Sequence, residues 1–415
     1  MQKVKSNDKI FFWIFVFLVA LSFIFRLILI TRPGHMGDFQ TIMGWLGDAN
    51  SHFRNFYVLT NANYGPLYPI LTQPLIHAVN FVSRFTDFQT AGWIVDRGIL
   101  YFFDAVLAYL IYKLVLIKVS KNAAYAAVLF YLLNPIIFAA SSFWGQTDSL
   151  MMIFMLLAFW FLLDKKYLAV ILTVGISLLI KPTLIAILPF FIIVLLLEKK
   201  FKELGIGILI LAIIFYLLSA IFFGFALMAQ IKFYISTLFL NNLTPRMSVG
   251  ARNLWFMWGE FNSDTLTVAG FSAHLWGTLL LFLANLFAAM AYFKKKNFLS
   301  LSFAYLVVLF GFYFLPTRSH ERYQIFSFLP LIFLIVSLKK WWLMGILYLV
   351  STITFAYLIL AMVPLFKVKF FEDLLANNNL GNIVVLVNLG LYLVMILMAC
   401  YYSLEKNGKI KDKKI

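Results

Sequence analysis

The chain has 415 residues, 63% of them hydrophobic and 12% charged, with a formal net charge of +17. A soluble domain is about 45–50% apolar and about 25% charged, so this much apolar surface finds cover only in a bilayer, and the composition implies a polytopic membrane protein. The positive excess would otherwise suit a nucleic-acid binder, but that requires a basic face on a soluble fold, so no nucleic-acid partner is expected.

The basic N-terminus, MQKVKSNDK, precedes an apolar stretch from Ile10 to about Ile30. That stretch is longer than a signal-peptide core and lacks a small-x-small cleavage site, which predicts an uncleaved first span. Further stretches of near-spanning length follow at roughly 91–117, 122–141, 148–163, 167–181, 183–197, 203–223, 271–293, 298–315, 322–338, 341–363 and 381–403. Between them lie Lys118/Lys121, Lys165-Lys166, Lys199-Lys200/Lys202, Lys294-Lys295-Lys296, Lys339-Lys340 and the tail from Lys406 to Lys414. About twelve spans with both termini in the cytoplasm put every cluster inside, provided that 66–86 does not cross. That segment carries Pro66, Pro69, Pro74 and several polar residues, which predicts a helix at the interface instead.

On this topology 21 lysines and six acidic residues are cytoplasmic, while all nine arginines and all five histidines fall outside or within spans. Lysine then reports orientation. Arginine, a rigid bidentate donor, suits sites that hold phosphate or carboxylate, so the chemistry is expected outside. The short cytoplasmic loops leave no room for nucleotide-binding machinery. The single cysteine, Cys400, excludes an intramolecular disulfide and a cysteine metal cage.

The first outer segment, about 32–90, begins HMGDFQTIMGWLGDANS. Phe39, Ile42, Met43 and Leu46 recur at helical spacing, predicting a helix over 38–48 that lies flat on the membrane. Asp38 is either the N-cap of that helix or a general base near the bilayer surface; Asp48 reads as a solvated face residue. Asp96, Arg97 and Asp104, in or near the second span, read as structural pairs. In Ser141-Ser142-Phe143-Trp144-Gly145-Gln146-Thr147-Asp148-Ser149, Thr147 or Asp148 could cap the next helix and Trp144 could anchor at the interface. Alternatively, Gln146 and Asp148 supply an amide donor and a carboxylate for sugar hydroxyls. Lys181, before Pro182, is a snorkelling lysine or a functional cation. The second long outer segment, about 224–270, contributes Arg246, Arg252 and Asn253-Leu254-Trp255. Thr317-Arg318-Ser319-His320-Glu321-Arg322-Tyr323 packs four ionisable groups between two spans, either as an interfacial salt-bridge cluster or as a site.

Together these pieces resemble the GT-C superfamily of polytopic glycosyltransferases that use lipid-linked sugars, nearest the bacterial group similar to the GPI mannosyltransferases. The resemblance covers most of the chain and rests on order. Asp38 in GDFQ follows the first span; Tyr64-Gly65-Pro66-Leu67-Tyr68-Pro69 resembles a Tyr-Pro-Pro-rich stretch, with Gly65 where the family often has a proline. WGQTDS at 144–149, Lys181-Pro182, Asn253-Leu254-Trp255 and HERY at 320–323 follow in sequence.

The resemblance implies one all-α transmembrane domain over 1–415, with interfacial helices in the first extracytoplasmic loop and Asp38 as catalytic base. The implied reaction moves one hexose, with inversion, from a polyprenyl-phosphate-linked sugar to a hydroxyl of a cell-envelope glycan, glycolipid or protein. It would run on the outer face of the cell membrane, in contact with membrane lipid. Lys181, Arg318, His320 and Arg322 are then expected at the donor phosphate. Tyr64, Tyr68, Trp144, Gln146, Asp148, Arg246, Asn253 and Glu321 are expected around the substrates. No cofactor is expected. A divalent metal is not favoured, because Phe39-Gln40 and not a second acid follows Asp38. The competing readings are a lipid-linked oligosaccharide flippase or transporter, which tends to show repeats and midplane polar sites, and a surface-polysaccharide polymerase.

Overall fold

The computed structural model describes residues 6–60, 62–235, 245–338, 341–362 and 377–405. The lysine pair 339–340, the tail from Lys406 and most of the expected outer segment at 364–380 lie outside the described residues. The helices in chain order are α1 (Ser6–Leu29), α2 (Met36–Ser51), α3 (Phe56–Leu59), α4 (Leu67–Thr72), α5 (Leu75–Val82), α6 (Phe88–Lys118), α7 (Lys121–Leu132), α8 (Pro135–Ala139) and α9 (Asp148–Leu163). There follow α10 (Tyr167–Ile180), α11 (Leu188–Leu197), α12 (Phe201–Phe223), α13 (Leu227–Tyr234), α14 (Ala273–Lys295), α15 (Phe298–Phe314), α16 (Phe328–Ser337), α17 (Trp341–Met362) and α18 (Asn378–Leu404). A hairpin of β1 (Thr267–Val268) and β2 (Phe271–Ser272) is the sheet among the described residues.

The chain is therefore an all-α protein of the multi-pass membrane class. Among the described residues α1, α6, α12, α14 and α18 are long and apolar enough to cross a bilayer, and α7 with Pro135–Trp144 forms a further candidate bent by 48°. The bend follows from Asn134-Pro135: Pro135 cannot continue α7, and Asn134 caps α8 by accepting from Ile136 and Ile137. Prolines shorten other expected spans in the same way. The stretch 183–197 divides into a tight turn at Pro182–Ala186 and the ten-residue α11. In the 66–86 region α4 and α5 are roughly 9 and 12 Å long, broken at Gln73-Pro74, so neither reaches across a bilayer.

Where one domain over 1–415 is expected, the chain clusters into two compact units. The first comprises residues 1–185, 202–244 and 352–378, and its centre is polar. Arg26 of α1 and Asp104 of α6 are fully buried and pair at 3.3 Å. Tyr131 of α7 and Ser149 of α9 donate to Asp104 Oδ1 at 2.8 and 2.5 Å. Arg26 also donates to Ser22 Oγ and to the Leu132 carbonyl. Four helices are thus fastened by one charge pair whose carboxylate accepts from three side chains, hydrogen bonds that help to offset the cost of burying it. Arg97, also on α6 and fully buried, donates to the carbonyls of Leu29 and Ile30 at 2.7 and 3.1 Å. These are the orphan acceptors at the end of α1.

The apolar stripe of α2 is a correction to the sequence reading. Phe39 stacks on Trp93 with ring centroids 3.7 Å apart, and Leu46, with Ile42 and Met43, packs on Ile76 and Val79 of α5 and Ala91 of α6. The stripe assigned to the membrane is covered by protein. The exposed large apolar side chains of this segment are instead Val58, Leu59, Leu71, Phe81, Phe85 and Phe88.

The second unit comprises residues 186–201, 245–351 and 379–415. At its centre α15 is buried along almost its whole length, started by a capping box between Asn297 and Ser300. Asn285 of α14 fastens α11, accepting from Phe190 N and donating to the Ala186 carbonyl, both at 3.0 Å.

The lysine clusters have a local role in both units. Lys165 follows α9, Lys199 follows α11 and Lys296 follows α14, each with φ of 57, 57 and 49° respectively. They occupy the left-handed position that usually takes glycine, and their cations lie beside the negative helix ends. Lys118 pairs with Asp164 at 3.0 Å in the first unit, and Lys296 with Glu198 at 2.8 Å in the second. Turns expected on one membrane side are therefore neighbours within each unit.

Replacing Asp104 with Ala strands Arg26 in an apolar interior. The loss is expected to be about 3–5 kcal/mol, with partial recovery in Arg26→Met/Asp104→Ala. Thermal unfolding of the purified protein in detergent measures both; an unchanged midpoint in Asp104→Ala would dismiss the pair as a fastening.

Candidate functional site

The polar residues singled out in the first unit converge around α2. His35 caps α2: its Nδ1 accepts from Asp38 N at 3.2 Å. Asp38 is therefore not the N-cap, and its carboxylate is turned away from its own helix. Oδ2 accepts from Trp144 Nε1 at 2.7 Å and from Gln146 Nε2 at 2.5 Å. Oδ1 lies 3.6 Å from His35 Nδ1. Since that nitrogen is already an acceptor, a neutral His35 carries its proton on Nε2. Oδ1 is thus held in place by the bonds to Oδ2 while it makes no hydrogen bond of its own among the described residues. The Asp38 side chain is 35% exposed, open enough for a hydroxyl to approach.

The strap that holds Asp38 is a wide turn of π-helical pitch over Ala140–Trp144, closed by Gly145 at φ 82° and ψ 38°. Gly145 N and Gln146 N both reach back to the Ala140 carbonyl, at 3.1 and 3.2 Å. Trp144 is 3% exposed, so it is a ligand of Asp38 and not an interfacial anchor. Gln146 likewise spends its amide on Asp38.

The next residues carry a second group. Thr147 stands at the N-cap of α9 but makes no side-chain cap bond. Lys181 Nζ donates to Thr147 Oγ1 and pairs with Asp148 Oδ1, both at 3.4 Å, and lies 5.3 Å from the centre of the Tyr64 ring. Lys181 and Asp148 are buried, so Lys181 does not snorkel to water. Asp148 Oδ2 is buried without a hydrogen bond. Tyr64 and Tyr68 meet edge to face at 4.7 Å, and both meet Trp45, at 5.3 and 5.9 Å. Trp45 lies seven residues after Asp38, two turns along the same face of α2.

Gly65 joins this aromatic group to the end of α10. Its N–H donates to the Ile180 carbonyl at 2.9 Å, and a Cβ there would stand 2.3 Å from the Leu179 carbonyl oxygen. Proline, frequent here in the family that the sequence resembles, would both collide and lose that bond. Tyr57 holds the same turn, donating to the carbonyls of Tyr64 and Gly65. Burial, with Tyr234 next, pushes its phenol well above the ordinary value and keeps it a donor.

The second unit collects the rest. Asn253 accepts from Phe256 N and donates to the carbonyls of Pro316 and Met247, a latch between loops. Arg246 lies over the Phe261 ring, and its carbonyl accepts from Arg318 N. Arg318, at φ 60°, is held by Asp264: Nε donates to Oδ2 at 2.5 Å and Nη2 to Oδ1 at 3.2 Å. Glu321 lies between His320 Nδ1, at 4.0 Å, and Arg322 Nη1, at 3.8 Å, while Arg252 pairs with Glu260 at 3.4 Å. The cations expected to meet phosphate thus each have an acidic neighbour.

Among the expected residues, Asp38, Trp144 and Gln146 meet one another, as do Asp148, Lys181 and Tyr64. His35, Trp45, Glu260 and Asp264 were not singled out from sequence. For His35 a signal existed, three residues before Asp38 at a helix start; Asp264 leaves none. Among the described residues no three His, Cys, Asp or Glu side chains gather as a metal site would require. No known family model matches the chain, and no curated protein does.

Gly145→Ala would place a side chain in the left-handed region, at about 1–2 kcal/mol, and against Asp96, whose Oδ2 is 2.9 Å from the Cβ position. A lower unfolding midpoint is expected for this variant by thermal denaturation. Wild-type stability would mean that the strap tolerates another path.

Proposed function

We propose that the protein is a glycosyltransferase that moves a hexose from a polyprenyl-phosphate-linked sugar to an acceptor hydroxyl outside the cytoplasm. One observation carries this reading: a carboxylate, Asp38, immobilised through one oxygen by Trp144 and Gln146 and open at the other. That is the requirement for a general base, which must stand within hydrogen-bond reach of the proton it takes. Oδ1 accepts the acceptor's proton as its oxygen attacks the anomeric carbon; the bond from that carbon to the lipid phosphate breaks, and the phosphate leaves with the electron pair. Lys181 is the cation assigned to the leaving phosphate. Its bonds to Thr147 and Asp148 are at the long edge of hydrogen bonding. Arg318, His320 and Arg322 belong to the second unit and are given no role in this assignment.

About twelve spans with both termini inside accompany the proposal, α4 and α5 lying at the outer interface with Phe81 and Phe85 against lipid. After replacement of the native Cys400, single cysteines introduced at Lys165 or Lys296 should be labelled only from the cytoplasmic side, and one at Asn50 only from outside. The opposite labelling pattern would invert the proposed orientation.

The activity is tested with the full chain in lipid nanodiscs, given polyprenyl-phosphate hexoses radiolabelled in the sugar and extracted envelope lipids and glycans as acceptors. Label is expected to move to acceptor, and Asp38→Asn to lower turnover about 10²–10⁴-fold at unchanged expression and insertion. Near-normal turnover in that variant would remove Asp38 from the mechanism. Wild-type protein that carries the probe across a bilayer without breaking its phosphate–sugar bond would be a flippase.

A further inference from the structure

Asp96 stands out because Asp104 and Arg97, its acidic and basic neighbours on α6, hydrogen-bond to other parts of the fold and it does not. Arg97 turns to the carbonyls that end α1, and Asp104 pairs with Arg26. Asp96 is half-buried and makes no hydrogen bond or ion pair among the described residues. A carboxylate left in this state on a membrane helix costs stability, and folds retain such costs where a ligand supplies the missing partner.

Its surroundings define the ligand. Trp144 and Gln146 hold Asp38, and the residue between them, Gly145, is the one whose Cβ would stand 2.9 Å from Asp96 Oδ2. Asp38 and Asp96 therefore both meet this strap, Asp96 lying so close to Gly145 that a side chain there would displace it. Asp96 also acts electrostatically on Tyr68: burial first, then Tyr64 and Asp96, push that phenol well above its ordinary value. Tyr68 in turn adjoins the rings of Tyr64 and Trp45. A carboxyl oxygen accepts hydrogen bonds, so the ligand offers donors, and the neighbouring aromatic rings favour a body with an apolar face. A hexose has both, hydroxyls at its edge and a C–H face.

We infer that Asp96 binds hydroxyl groups of the transferred hexose and so determines which sugar is accepted; this rests on the transferase reading above. Asp38 and Asp96 then divide the substrates, one taking the acceptor's proton and the other holding the donor sugar.

The test uses the full chain in nanodiscs, with polyprenyl-phosphate hexoses and their monodeoxy analogues as probes. Asp96→Asn is expected to lower kcat/KM on the parent donor about 10–100-fold, the range for a hydrogen bond to a charged group. For the analogue lacking the hydroxyl that Asp96 holds, wild type and variant should be equal, the coupling signature of direct contact. Without ligand, Asp96→Asn should unfold at the wild-type temperature or above. Equal kinetics on the parent donor, an identical penalty on every deoxy analogue, or an unfolding midpoint that falls with activity would each overturn the inference. A wild-type protein that takes no sugar from any probe would sink the transferase reading itself. Wild-type transfer matched by the variant sinks only Asp96.

Discussion

The first unit depends on the pairing of Arg26 with Asp104. In an apolar interior neither charge has water to fall back on, so the arrangement that brings the two together is strongly selected over its neighbours. The network takes one or more groups from each of four helices: Arg26 and Ser22 from α1, Asp104 from α6, Tyr131 and the Leu132 carbonyl from α7, and Ser149 from α9. Non-directional packing of Leu, Ile and Phe would allow these helices to slide or rotate with little penalty. Directed hydrogen bonds to one carboxylate do not, and they fix both rotation and height.

The site follows from that fixing. Ser149 sits beside Asp148, so the bond that fastens α9 also sets where Asp148 begins the helix and where the strap before it must run. The end of α1 is held by Arg97 through its last carbonyls, and five residues later His35 starts α2. Asp38 and its two donors come from segments more than a hundred residues apart, yet each is a few residues from a fastened helix end. Precision at the carboxylate is inherited from the buried network and does not require the loops to be rigid in themselves.

Much of the helical frame was legible in the sequence because polar punctuation marks the ends. The stretches expected at 148–163, 203–223 and 298–315 match α9, α12 and α15 closely, each bounded by residues unsuited to hydrocarbon. Asn134-Pro135 and Pro182 divide stretches that hydropathy alone runs together, since a missing N–H outweighs apolar side chains. The stripe of α2 was found at the right spacing but given the wrong partner, because a periodic apolar face does not say whether lipid or protein will cover it. Asp38, Trp144 and Gln146 were recognised individually from motif order, whereas their mutual bonding required the fold. Asp264 and Glu260 escaped notice for a related reason: pairing with a distant arginine leaves no local periodicity.

The overall charge of +17 separates into two populations with different physics. Lysines gather at helix ends, where Lys165, Lys199 and Lys296 accept left-handed backbone geometry that glycine would adopt more easily; their charge next to the helix terminus offsets part of that cost. Arginines instead meet acids or carbonyls, as Arg26, Arg252 and Arg318 do. Against this background of matched charges, a carboxylate's role is set by what remains unfilled around it. Asp104 is saturated and serves as a fastening. Asp38 is saturated on one oxygen and open on the other, which orients it without occupying it. Asp96 has neither oxygen filled among the described residues, which is why the inferred sugar contact is placed there. On the proposed transferase reading, one functional group, in three states of satisfaction within a single unit, supplies anchor, base and binding contact.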